Sequence, residues 1–313
     1  MKLKKIKRMV AVGTAILMTL SLAGCGIGSD SVKLGAAGVG GGYYAFSNAF
    51  AQIASSEDED LDFEVKATAG STANIRLLSD GYVDMAIAQA DLVDAAYNGT
   101  GATDKKRYRG YSAVASLYTE ACQIVVRSDS GIDSLDDLQG KKISVGEEES
   151  GTQRNAEQIL KMTGLVESLV DTVNLDYVDA ANELKSGQID AFFCTAGIQT
   201  SVIEELSKEC DVKLIGIDDK CRDRLKSVYG FYTDYTIPAG TYEGQTQDVV
   251  TLGVRAVLLA RDDMDEKIVE ELTGLLFEHA QDIQYSIALT FQIDESEAVK
   301  NVTIPFHDGA KAY

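Results

Sequence analysis

Two segments of this chain are variants of one pattern. "ANIRLLSDGYVDMAI" (73–87) and "ANELKSGQIDAFF" (181–193) each read as a helix, a glycine, two residues, an aspartate and an apolar run. Gly81-x-x-Asp84 in the first matches Gly187-x-x-Asp190 in the second. Glycine just beyond a helix suits the left-handed backbone that ends it. An apolar run without alternation fits a strand covered on both faces, as in a parallel sheet. Each copy follows a strand–loop–helix unit, "LGAAGVGGGYYAF" before the first and "ISVGEEESGTQRNAEQIL" before the second. The repetition constrains the chain to an α/β fold and predicts two similar α/β lobes.

The rest of the periodicity agrees. Strand-like runs cover 32–36, 62–68, 83–88, 112–117, 122–127, 142–145, 189–194, 212–217 and 252–259. Helical patterns cover 43–54, 71–79, 91–97, 152–163, 180–186, 198–207 and 265–283, the last opening an amphipathic tail that runs to 291. "VASLYTEACQIVVRSDSGI" (114–132) leads out of the first lobe and "VVTLGVRAVLLARDD" (249–263) leads back, each ending in Arg and an acidic turn. The chain therefore crosses twice, giving a two-segment hinge. Lobe 1 is expected from 31–118 plus 252–313 and lobe 2 from 119–251. A length of 313 residues with 45% hydrophobic content supports cores of this size.

The N-terminus belongs to neither lobe. Lys2, Lys4, Lys5, Lys7 and Arg8 precede a 16-residue apolar core (9–24), short for a membrane span and flanked like a secretory signal. Its "LAGC" ending resembles a bacterial lipobox. Residues 1–24 then read as a lipoprotein signal peptide, Cys25 as the lipidated residue, and 25–31 as a flexible tether. The whole chain carries 29 basic and 49 acidic residues, net −20; losing the five basic residues of the leader leaves 24 against 49, or −25. Such a surface repels nucleic acid. Outside the cytoplasm Cys122, Cys194, Cys210 and Cys221 could form up to two disulfides, but their spacing fits no zinc site.

Ligands of open α/β sheets lie beyond the carboxyl ends of the strands, where helices begin. Four segments occupy that position: Gly40–Gly42 with Tyr43 and Tyr44; "TAGSTAN", with Ser71 or Thr72 as helix cap and Asn74 in the first turn; Gln89; and "GEEESGTQ", where Ser150 and Gln153 fit a capping box. Thr195, Ala196 and Gly197 supply a further strand end. Helix N-termini offer free N–H groups and partial positive charge, glycines expose backbone, and Ser, Thr, Asn and Gln add neutral polar contacts. This combination favours an anion such as a carboxylate. Gly40-x-Gly42-x-x-Ala45 is a weak match to a dinucleotide fingerprint, unsupported by any catalytic group. With only His279 and His307 in the chain, a Ser/His/Asp triad is poorly supported. No catalytic residue, metal site or cofactor is expected.

"GYYAFSNAFAQI", "ATAGSTANIRLLSDGYVDMAIAQAD", "YNGTG", "ASLYTEACQIVVRSDSGIDSLDDLQGKKISVG", "SGTQRNAEQIL", "IDAFFCTAG", "TIPAGTYEGQ" and "LGVRAVLLARDD" resemble, in order and over 31–313, the TAXI-type solute receptors of TRAP transporters. The resemblance implies a bilobed type II periplasmic-binding-protein-like fold. It implies capture of a small organic acid, a glutamate-like amino acid or a dicarboxylate, and delivery to a membrane-embedded TRAP permease driven by an ion gradient. The protein would be an extracytoplasmic monomer held to the membrane by its lipid, and not an enzyme. The family's pocket falls on Gly41, Tyr43, Tyr44, Asn74, Gln89, Ser150, Gly151, Thr152, Thr195, Ala196 and Gly197. The first loop, "AAGVGGG" (36–42), lacks the hydroxyl residues that related receptors often have there. An enzyme acting on a small organic acid, or a surface lipoprotein with no pocket, are the competing readings.

Overall fold

The computed structural model describes residues 31–101, 105–166, 168–287 and 292–313. The expected signal peptide, Cys25 and all of the expected tether but residue 31 lie outside the described residues, as do positions 288–291 of the expected tail. Lobe 1 opens with β1 (Val32–Gly35), α1 (Gly42–Glu57), β2 (Phe63–Lys66), α2 (Ser71–Ser79), β3 (Met85–Gln89) and α3 (Ala90–Asn98). The long strand β4 (Tyr111–Arg127) passes into lobe 2. There follow β5 (Lys142–Ser144), α4 (Gly151–Thr163), β6 (Asp171–Val173), α5 (Tyr177–Ser186), β7 (Ala191–Ala196), α6 (Ser201–Glu209), β8 (Val212–Leu214), α7 (Asp219–Val228) and β9 (Thr233–Ile237). The return strand β10 (Val249–Arg261) leads to α8 (Glu266–Glu278), α9 (Ala280–Ser286) and α10 (Asp308–Ala312).

The strands form one curled sheet in the order β2-β1-β3-β10-β4-β7-β5-β6, with β8 beside β4 and β9 beside β10. β1 runs parallel to β2 and β3, and β5 runs parallel to β6 and β7. β10 lies antiparallel to β3, and β4 lies antiparallel to β7. The two lobes thus repeat one order, β2-β1-β3-β10 and β6-β5-β7-β4. Each crossing strand closes the parallel set of one lobe.

The repeat read in the sequence is a repeat of contacts. Gly81 and Gly187 both take φ 75°, the left-handed turn that a side chain disfavours. Asp84 accepts the Lys33 N–H at the start of β1 (2.9 Å), and Asp190 accepts the Lys142 N–H at the start of β5 (2.9 Å). The arginines that end the crossing strands match as well. Arg261 donates to the Gly81 carbonyl and pairs with Asp263, while Arg127 donates to the Leu184 carbonyl and pairs with Asp129.

Each half of the sheet is covered on both faces. In β3 and β10, Met85, Ile87, Ala256, Leu258 and Ala260 face α1, α8 and α9, while Ala86, Ala88, Val257 and Leu259 face α2 and α3. In lobe 2, Ile124, Ile143, Ala191 and Phe193 pack under α4 and α7, and Val125, Phe192 and Cys194 under α5 and α6.

Some expected boundaries differ. The strands at 112–117 and 122–127 are one 17-residue strand, because Thr119 and Glu120 continue the pairing with β10. The expected helix 265–283 breaks at His279, whose backbone (φ −105°, ψ 19°) ends α8. Helix α7 was not legible: "DKCRDRLKSV" buries only Cys221 and Leu225. All four described cysteines are free, so the two possible disulfides are not formed. Cys122 and Cys194 are buried on paired strands, and burial pushes the Cys122 thiol up to about 12.

Candidate functional site

The carboxyl ends of β1, β3, β5 and β7 point at one another across the gap between the lobes. The cavity there is lined by the α1 turn, the α4 turn, Gln89, Glu120, Tyr177 and Thr195, among others. From lobe 1, the chain turns through Gly38–Gly41 with a Gly41 N–H to Gly38 carbonyl bond of 3.2 Å, and no side chain caps α1. From lobe 2, Ser150 caps α4 by accepting the Gln153 N–H at 2.9 Å, which leaves Gly151 and Thr152 in the first turn at the cavity wall. Two helix N-termini, one per lobe, therefore present N–H groups and positive dipole ends to the same space. The room left for water-sized groups is small, about 40 Å³, which suits a few waters or one polar head group.

The buried acid of the cavity wall is Glu120, which sits on β4 where that strand passes between lobes and is 2% exposed. Tyr43, in the first turn of α1, donates its hydroxyl to Glu120 Oε2 at 2.7 Å. Burial raises the Glu120 carboxyl to about 8, against the lowering effect of the Tyr43 and Gln89 hydrogen bonds. Gln89 lies alongside. Its N–H donates to Ser71 Oγ (3.1 Å) and its Nε2 to Asn155 Oδ1 (3.0 Å), while its buried Oε1 has no hydrogen-bond partner. Asn155 continues to the Tyr232 hydroxyl (2.7 Å), which donates to Gln158 (2.6 Å). Gln89 thus ties lobe 1 to α4 and α7's neighbour in lobe 2 through a buried polar chain.

A second set of bonds closes on itself in lobe 2. Thr195 N–H donates to Thr152 Oγ1 (3.1 Å), Thr152 and Tyr177 hydroxyls are 2.6 Å apart, and Tyr177 donates to the Thr195 carbonyl (3.0 Å). With Thr152 donating to Tyr177, every member of the ring is satisfied. The Tyr177 ring stands over Gly41, where an added Cβ would come within 3.1 Å of it. At the rim, burial and then Asp176 raise the Glu147 carboxyl. Among the described residues lining the cavity, none is Lys, Arg or His, and no group of described residues has the make-up of a metal site.

Of the eleven sequence candidates, Gly41, Tyr43, Gln89, Ser150, Gly151, Thr152 and Thr195 line the cavity. Tyr44 does not, since the next position on α1 turns it aside, half-buried. Asn74 is fully buried outside the cavity. Its amide donates to the carbonyls of Gly35 (3.3 Å), Ala36 (2.5 Å) and Ile87 (2.8 Å) and accepts from Thr68 (2.7 Å), stitching β1 to β3. Ala196 and Gly197 are buried behind Thr195, and the Gly197 carbonyl accepts from Thr200.

The α2 terminus departs from expectation in another way. Its cap is Gly70 (φ 118°), not Ser71 or Thr72, and the Ser71 hydroxyl serves Gln89 instead. The Thr72 and Ala73 N–H groups donate to the Glu149 carbonyl of lobe 2 (3.1 and 3.2 Å), so this helix end is already occupied by the chain itself. The capping box at α4 is shifted by one residue: Gln153 Oε1 accepts the Glu149 N–H, not that of Ser150. Glu120 and Tyr177 were missed. A lone acid inside the apolar run "YSAVASLYTEACQIVV" was the available signal for Glu120. Tyr177 had none beyond its place after the helix cap Asp176.

Two α/β lobes joined by two crossing strands, with a cleft at the strand ends, define the periplasmic-binding-protein-like fold. A periplasmic transporter shares it at TM-score 0.58 with 14% identity, covering 84% of this chain and 88% of that one. So does a putative L-cystine ABC transporter protein from Listeria monocytogenes (TM-score 0.51, 14% identity, 82% and 93% covered). A substrate-binding protein of an amino acid ABC transporter aligns at TM-score 0.50 with 17% identity, covering 82% and 95%. The model of the NMT1-like family matches residues 34–313. The chain belongs to the NMT1-like family.

Proposed function

We propose that the protein is an extracytoplasmic receptor that closes over a small carboxylate and carries it unchanged to a membrane permease. The observation that carries this reading is the convergence of the α1 and α4 N-termini, one from each lobe, on a cavity that no Lys, Arg or His among the described residues lines. An anionic head group there meets the N–H dipoles of the two helix ends. Glu147 and Asp176 at the rim suit an ammonium group on the same ligand, which favours a glutamate-like amino acid over a plain dicarboxylate. The lobes must part to admit a ligand larger than the present cavity. Lobe 1 is taken as 31–118 plus 252–313 and lobe 2 as 119–251, with the hinge where β4 and β10 cross.

The sequence resemblance supports a TRAP permease as the partner, and "LAGC" supports a lipid anchor on Cys25. Two of the structural neighbours are proteins of ABC transporters, so an ATP-driven partner is the second reading. Uptake of labelled L-glutamate by cells bearing the receptor separates the two: collapse of the ion gradient alone stops a TRAP system, whereas an ABC system stops only on ATP depletion. Receptor function itself is tested by native mass spectrometry of the purified protein with L-glutamate. An intact 1:1 complex is expected, and release of a chemically altered product would replace the receptor reading with an enzymatic one.

A further inference from the structure

Glu120 has no place in a site built only from helix ends and neutral side chains. It is buried, it lines the cavity, and its Oε2 is held by the hydroxyl of a residue in the first turn of α1. A bound carboxylate drawn to that helix end lies beside it. Two ionised carboxylates at such range repel, and no Lys, Arg or His among the described residues lines the cavity to separate them. Two carboxyl groups sharing one proton do not repel; they form a charge-assisted hydrogen bond. Gln89, which also lines the cavity, has a buried Oε1 with no hydrogen-bond partner.

We propose that Glu120 is a ligand-contacting residue that acts in its protonated form, sharing its proton with the ligand carboxylate. This rests on the carboxylate reading given above. The groups facing Glu120 are consistent with a retained proton. Tyr43 on α1, Asp91 on α3, Tyr118 and Cys122 on β4, Tyr177 on α5 and Cys194 on β7 are neutral or acidic. Burial keeps the carboxyl protonated up to about pH 8. Above that pH the free receptor loses the proton, so binding must take it up again and affinity falls. The receptor would then hold ligand tightly at neutral pH and release it in alkali, using a residue that carries no charge in its working state.

The test is calorimetric titration of ligand-stripped receptor with succinate and with L-glutamate from pH 6 to 9.5. Succinate has no amine to titrate in this range. The expected result is a Kd that is flat below about pH 8 and rises about tenfold per pH unit above it. Glu120→Gln keeps the shape and a donor but cannot ionise, so its Kd should stay flat throughout. A wild-type Kd that is unchanged to pH 9.5, or an alkaline loss reproduced by Glu120→Gln, overturns the role of Glu120 while leaving the carboxylate reading intact. Failure of both acids to bind at any pH overturns that reading and this one with it. Should Glu120→Gln not fold, infrared difference spectra of the wild type with and without succinate give the same decision. A protonated-carboxyl band that shifts on binding supports the proposal, and an unperturbed band overturns it.

Discussion

Gln89 and Gly151 meet face to face across the cleft, and their contact shows how little room closure leaves. A Cβ added at Gly151 would stand 2.6 Å from the Gln89 amide carbon, and that amide is tied to Asn155. Gly151→Ala should therefore hinder closure without disturbing either lobe. Binding is expected to weaken by about 1–3 kcal/mol, the cost of overpacking, with little change in the melting temperature of ligand-free protein; unchanged affinity would show that the two faces do not meet in the bound state. Glu120 makes a second residue-scale prediction. Its pKa rises on folding from 4.5 to about 8, so the folded state binds the extra proton and the group's contribution to stability falls as pH rises through that window. Glu120→Gln should remove this slope and leave the protein more stable at pH 8 by an amount on the order of a few kcal/mol, read by denaturant melts at pH 5 and 8. The facing pair across the cleft illustrates what sequence shows at this scale. Gly151 and Gln89 were legible because helix starts and strand ends have local signatures. Asn74 carried the same signature yet serves the backbone, since only packing decides which way a first-turn side chain points.

Helix ends carry the argument at the scale of elements. α1 and α4 keep their N-termini open toward the cavity, whereas α2 is closed by the carbonyl of Glu149 from the other lobe. Glu149 also pairs with Arg76 through two bonds of 3.1 and 2.7 Å, and its backbone is left-handed at φ 64°. This cluster clasps the lobes beside the site. Arg76 and Glu149 side chains are 38% and 41% exposed, so the ion pair is worth at most about 1 kcal/mol. Glu149→Gln, which keeps the carbonyl contact, should weaken ligand affinity by less than about tenfold, and by less still in high salt. A hundredfold loss that salt does not diminish would mean the carboxylate acts on the ligand itself. The order of elements and the pairing of Gly81 with Gly187 were readable from composition and period. The cross-lobe clasp was not, because Glu149 lies 73 residues from Arg76 and nothing local links them. α7 escaped notice for a related reason: a helix that buries two side chains leaves almost no apolar period.

For the whole molecule, the repeat order β2-β1-β3-β10 and β6-β5-β7-β4 makes each lobe depend on a strand that the other lobe also uses. β4 and β10 give the lobes a shared axis and place Glu120 at it. The two crossing strands were anticipated from their matching Arg-acid endings, though not their unbroken length, because Thr119 and Glu120 interrupt the apolar run. Tethering belongs to this scale as well. If Cys25 bears the lipid, Cys25→Ser should leave the protein unprocessed or soluble on cell fractionation; normal processing with membrane retention would refute the anchor. The central claim is that closure over a carboxylate stabilises this arrangement. It is tested most directly by melting ligand-stripped protein with L-glutamate, succinate, a sugar and a simple cation, each in hundredfold excess over its measured or limiting Kd. Binding to the folded state alone should add about 2.7 kcal/mol, or about 5–10 °C for a chain of this size, with a carboxylate and not with the others. A shift produced only by the sugar or the cation would contradict it.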